Sequence, residues 1–158
     1  MRVVLGSDHA GFEMKEKLAA HVREMGHQVL DVGTNSDAPV DYPDFAEAVA
    51  MAILNHEADR GILICGSGVG AAVAANKIPG IRAATCHDCY SAHQGVEHDD
   101  INILVLGARV IANELAYDLA WMFLGAQFSG EERHLRRIEK VQELEKKYRT
   151  SIPDTPVS

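Results

Sequence analysis

Residues 65–70 read CGSGVG and close an apolar run, GILIC at 61–65. Gly66, Gly68 and Gly70 alternate ahead of the small-residue segment AAVAA at 71–75, which reads as the start of a helix. Successive backbone N–H groups in such a loop form a nest for an anion, either a bound phosphate or an oxyanion formed during a reaction. Cys65 stands at the lip of that loop. A thiol there can act as a base or a nucleophile, and a buried cysteine is equally often a small core residue. The glycines have two further readings. One is close helix–sheet packing. The other is the dinucleotide pattern G-x-G-x-x-A, met by Gly66, Gly68 and Ala71, with Asp88 roughly 20 residues on. That pattern normally follows a first strand, whereas this loop follows the third apolar run. A Walker loop is excluded, because G-x-x-x-x-G-K-[ST] is absent.

Two other clusters carry chemistry-bearing residues. RHLRR at 133–137 is the densest basic stretch. Arg133 and Arg137 lie four apart, so on a helix they share a face and can grip one dianion or pair with Glu132, Glu139 and Glu143. CHDC at 86–89 is a single C-x-x-C without a second ligand pair, weak for zinc, so no metal is expected and Cys86 is read as packing. With Cys65 and Cys89 it makes three cysteines, which suggests reduced thiols rather than a disulfide framework. His134, inside the basic cluster, has no role that its position reveals. His21, His27 and His56 read as surface residues.

Five short apolar runs must position these residues: 2–5, 28–32, 61–65, 82–86 and 101–106. The third and fifth are nearly continuous, which suits strands covered on both faces. Between them lie segments of helical period. Residues 10–26 repeat Met14, Leu18, Val22 and Met25 and stop at Gly26. Residues 43–57 open on Pro43 and carry Phe45, Val49, Ala52 and Ile53. Residues 113–124 start at a potential Asn113 cap. A final helix near 130–149 has Ser129 and Glu132 at capping-box spacing and an apolar side of Leu135, Ile138, Val141, Leu144 and Tyr148. This alternation predicts an α/β fold: a three-layer, Rossmann-like, doubly wound sheet of five parallel strands with a long C-terminal helix. Residues 1–149 are expected to form one domain, and 150–158 a flexible tail. Ligands of such sheets bind beyond the carboxyl ends of the strands, where GSDHAGF, CGSGVG, HDCYSAH and GARV all fall.

Composition narrows the function. The 158 residues carry a net charge of −8, which argues against nucleic-acid binding through a positive field. No apolar run approaches the ~20 residues of a membrane helix. The N-terminus lacks the long apolar core of a signal peptide, so a cytoplasmic location is expected.

Six collinear motifs add a resemblance: SDHAGF (7–12), VDYPDFA (40–46), GILICGSGVG (61–70), AANKIPGIRAA (74–84), EHDDINILVLGAR (97–109) and ERHLRRI (132–138). The chain resembles the ribose-5-phosphate isomerase B family, which includes galactose-6-phosphate isomerase subunits. The resemblance implies a sugar-phosphate aldose–ketose isomerase, working on ribose 5-phosphate and ribulose 5-phosphate without a cofactor. It implies Cys65 as the base that moves a proton between C1 and C2, and Ser67 as the hydroxyl that shuttles protons between O1 and O2. His98 would open the sugar ring. The backbone of Gly66, Gly68, Val69 and Gly70 would hold the enediolate. Asp8 and His9 would contact the sugar and its phosphate end, Tyr42 would line the pocket, and Arg109, Arg133 and Arg137 would bind phosphate. A homodimer or tetramer with sites shared between subunits is implied as well. Some members carry a glutamate where this chain has Ala71. Many carry asparagine where this chain has Asp99, a sugar-binding position. Allose 6-phosphate, galactose 6-phosphate or a tetrulose phosphate therefore stand as alternative substrates, beside a non-catalytic sugar-phosphate binding module.

Overall fold

The computed structural model describes residues 1–149, so the tail expected at 150–158 lies outside the described residues. Strands β1 (Arg2–Ser7), β2 (Gln28–Asp31), β3 (Arg60–Cys65), β4 (Ala83–Thr85) and β5 (Ile103–Gly107) form one parallel sheet in the order β2-β1-β3-β5-β4. Six helices accompany them: α1 (Phe12–Glu24), α2 (Tyr42–Leu54), α3 (Val69–Ala75), α4 (Cys89–Asp99), α5 (Asn113–Gly125) and α6 (Glu132–Tyr148). This is the doubly wound α/β arrangement that the alternation of runs and helical segments predicts.

The period of two along β3 sorts its side chains between two cores. Ile62 and Ile64 join Leu5, Leu18, Leu104, Leu106 and Phe123 on the face covered by α1, α4 and α5. Leu63 and Cys65 join Val4, Ala46, Val49 and Val105 on the face of α2 and α3. Each fully buried aliphatic side chain of this kind contributes about 1.5–3 kcal/mol. The pleat therefore places the Cys65 thiol on the side where α2 begins. Polar ties fix the strand ends. Arg60, at the head of β3, donates to the carbonyls of Phe123 and Ala126 at the end of α5. Arg82, just before β4, meets the Asp100 carboxylate at 2.7 Å.

Several local expectations need correction. The Ser129/Glu132 capping box does not form: α6 is preceded by Glu131 in extended conformation with no side-chain cap. Ser129 Oγ instead accepts the Glu131 N–H at 3.2 Å and lies 2.6 Å from His134 Nδ1. Asn113 is the first helical residue of α5, and Ala112 occupies the cap position. The apolar side of α6 is not buried within the chain. Leu135, Val141, Leu144 and Tyr148 are all exposed, and His134 is its one buried residue.

Candidate active site

The chain runs from β1 outward to β2 and returns for β3 on the other side, so the order of connection reverses between β1 and β3. At that switch point adjacent connections diverge and open a crevice above the strand ends. A cavity of about 290 Å³ lies there, lined by Asp8, Tyr42, Cys65, Gly66, Ser67, Gly70, Arg109 and Val110. Seven of these eight were singled out in the sequence; Val110 was not.

The cavity is built by three strand ends and one helix start. Cys65 ends β3 and is buried, and the Gly68 N–H donates to its sulfur at 3.2 Å. Gly68 holds φ +84°, a left-handed turn that L side chains rarely adopt, and it delivers the chain into α3. Ser67 is exposed, and its Oγ accepts the Val69 N–H at 3.3 Å, which leaves the hydroxyl proton free to be donated. Asp8, just after β1, is buried; its Oδ1 accepts the Gly11 N–H at 3.0 Å, so it caps the turn and lines the cavity at once. His9 Nδ1 lies 3.2 Å from both the backbone N and O of Val40. Tyr42, at the start of α2, packs so close to the loop that a Cβ on Gly70 would sit 2.8 Å from its ring.

β5 supports the loop from behind. The Ala108 and Arg109 N–H groups donate to the carbonyls of Cys65 and Gly66 at 2.8 and 2.9 Å. A Cβ on Gly107 would stand 2.6 Å from the Ser67 backbone, so only glycine allows this approach. His87 Nε2 accepts the Gly107 N–H at 3.0 Å and pins the strand end. The sequence offered no signal for these supports beyond the Gly107–Ala108 pair after an apolar run.

The remaining candidates form a second group, on α4 and α6. His98 stacks on His134 with ring centroids 4.1 Å apart. Arg133 pairs with Glu131 at 2.8 Å, rather than with any of the three glutamates considered from sequence. Asp99 and Arg137 line a separate cavity of about 480 Å³, with Ile81, Arg82, Ile138 and Val141. It is Asp100, not Asp99, that pairs with an arginine. None of His98, Asp99, Arg133 or Arg137 lines the Cys65 cavity within this chain.

The other sequence motifs resolve structurally. Asp88 caps α4, with its Oδ1 accepting the Ser91 N–H at 2.8 Å, which gives it a local structural role. Cys86 is buried, and that burial, with the Asp88 charge second, pushes its thiol up to about 11. Among the described residues, Cys65, Cys86 and Cys89 are all free.

A model of the ribose/galactose isomerase family matches residues 3–141. The chain belongs to the ribose/galactose isomerase family. It is 44% identical over 146 residues to ribose-5-phosphate isomerase B of Escherichia coli strain K12, covering 92% of this chain and 97% of that one. Among solved members of the family, the ribose-5-phosphate isomerase B of Clostridium thermocellum superposes with a TM-score of 0.91 at 48% identity, over 94% of this chain and 99% of that one. The Mycoplasma genitalium ribose-5-phosphate isomerase B, solved with bound ribulose-5-phosphate, superposes with a TM-score of 0.86 at 39% identity, over 92% and 96%.

Proposed function

We propose that the chain interconverts ribose 5-phosphate and ribulose 5-phosphate with Cys65 as the base. The observation that carries this reading is a buried thiol, held by the Gly68 amide, at a cavity that Asp8, Ser67 and Arg109 also line at the switch point of a family fold. A sugar C–H beside a carbonyl is weakly acidic, so its removal needs a placed base and a stabilised negative charge. The furanose opens as His98 gives its proton to the ring oxygen and water carries the O1–H proton back to the His98 ring, which leaves an aldehyde at C1. The Cys65 thiolate then takes the proton from C2, and electron density moves to O1 to give a cis-enediolate. The loop from Gly66 to Gly70 faces that charge with its backbone amides. The Ser67 hydroxyl carries a proton between O2 and O1, and the Cys65 thiol returns its proton to C1. Atoms and charge balance, and the sugar leaves as its isomer.

Phosphate binding lies away from the reacting carbons, where it supplies orientation. We assign it to Arg133 and Arg137 of a second copy, with Arg109 and His9 at the near side. Two features support a shared site. The Cys65 cavity lacks His98, Asp99, Arg133 and Arg137 from its own chain, and the apolar side of α6 is exposed. A homodimer that lays this face on a neighbour covers the apolar residues and supplies the missing groups, whether or not dimers pair further into tetramers. The three free thiols fit a cytoplasmic location.

The test is conversion of ribose 5-phosphate to ribulose 5-phosphate in EDTA, with a parallel screen of hexose and tetrose phosphates because Asp99 is a sugar-facing candidate. Cys65→Ala should lose activity by several orders of magnitude while still binding substrate. Full activity in that variant removes Cys65 from the base role. Tight binding of several sugar phosphates with no solvent-deuterium exchange at C1 or C2 would mark a binding module instead.

A further inference from the structure

His134 has no place in the chemistry above, yet it is the one buried side chain of α6, 1% exposed. Its Nδ1 lies 2.6 Å from Ser129 Oγ. The Ser129 oxygen also accepts the Glu131 N–H, so the same hydroxyl ties His134 to the segment that leads into α6. The Ser129 N–H donates to the Glu97 carbonyl at 2.9 Å, which ties this anchor to α4, one residue from His98. The His98 ring lies on His134 at 4.1 Å with an interplanar angle of 28°. Gln94 Nε2 lies 2.7 Å from His98 Nδ1. An amide N–H donating there leaves Nδ1 bare and places the proton of neutral His98 on Nε2.

We propose that His134 is a positioning residue for His98: anchored by Ser129, it forms a rigid floor that holds the His98 ring in one orientation with Nε2–H as the proton donor. This rests on the assignment of His98 to ring opening. The charged groups around the stack are Glu97 on α4, Glu131 ahead of α6, and Arg133 and Arg137 on α6. Burial lowers the His134 imidazole from its ordinary value, the neighbouring His98, Arg133 and Arg137 lower it further, and Glu131 opposes them.

The experiment compares His134→Ala, His134→Phe and Ser129→Ala with the parent chain. Two readouts are used: kcat and KM on ribose 5-phosphate, and the ¹⁵N chemical shifts of the His98 imidazole near neutral pH. The parent should show a single His98 tautomer protonated at Nε2. His134→Ala should mix the tautomers and lower kcat roughly tenfold, with KM within about twofold, as expected for a misplaced proton donor rather than lost binding. His134→Phe, which keeps a flat ring under His98, should recover most of the loss, and Ser129→Ala should fall between. A rise in KM alone, or His134→Ala with parental kcat and one tautomer, overturns the proposal. If the parent has no isomerase activity, the functional assignment fails, while the ¹⁵N shifts still decide whether His134 fixes the His98 ring.

Discussion

Gly107→Ala tests whether β5 sets the position of the Cys65–Gly70 loop. The added Cβ would stand 2.6 Å from the carbonyl carbon and oxygen of Ser67 and 2.9 Å from a Val110 methyl. The valine can turn away, but the backbone cannot. Ordinary contact begins near 3.4 Å, so Ser67 has to retreat by about 0.8 Å. β5 cannot yield instead. The Gly107 N–H is held by His87, and its carbonyl accepts from Val110 and Ile111 at 2.9 and 3.2 Å. The displacement therefore falls on the segment that carries the Ser67 hydroxyl and the Gly68 amide on the Cys65 sulfur. Misplacing reacting groups by about 1 Å costs up to ~100-fold in rate, and overpacking costs about 1–3 kcal/mol of stability. Gly107→Ala should thus fold, melt lower, and lose roughly 10- to 100-fold in kcat/KM for ribose 5-phosphate. Gly125→Ala, where nothing lies within 4 Å of the new methyl, is the control and should leave kcat/KM unchanged. Parental kcat/KM in Gly107→Ala would refute the claim that this approach positions the loop.

Three further outcomes follow from the same geometry. With its thiol pushed up to about 11 by burial, Cys86 should stay unmodified by iodoacetamide at about pH 8 in the folded chain, read by peptide mass spectrometry; rapid alkylation would contradict its packing role. His134 is lowered below its ordinary value near 6.5, so below that pH the unfolded chain binds a proton that the folded chain refuses. Its stability contribution is present above about pH 6.5 and is lost as the pH falls toward the folded value. The melting temperature of the parent should drop more than that of His134→Phe from about pH 7.5 to 5, and parallel curves would contradict this. Val141→Glu/Leu144→Glu places charges on the exposed apolar side of α6. Sedimentation should then show monomers with little activity, and an active monomer would contradict a shared site.

The sheet was legible because its strands are buried on both faces. GILIC and INILVL are continuous enough that no helix of comparable length competes for them, and the glycine loop follows directly. The cavity half of the site was legible for the same reason: its residues lie within five positions of a strand end or at the start of α2. What the sequence hid depended on which side chains are buried and on contacts that local spacing does not reveal. Ser129 and Glu132 have the spacing of a capping box, but Ser129 is drawn to His134, a buried partner whose value no local pattern reveals. The apolar period of α6 reads as a core-facing helix, yet that face is exposed within this chain. Arg133 and Arg137 do share a helix, but nothing in their spacing shows that they stand apart from Cys65.

The shared site is the central claim, and mixing two defective chains tests it most directly. Cys65→Ala and His98→Asn are each expected to be nearly inactive. If the site joins Cys65 of one copy to His98 of the other, a hybrid dimer holds one doubly altered site and one intact site. Co-refolding the two variants in equal amounts makes half of the dimers hybrids, so ribose 5-phosphate isomerisation should recover to roughly a quarter of the parental rate. A mixture no more active than the average of the two variants would mean that Cys65 and His98 do not meet across subunits.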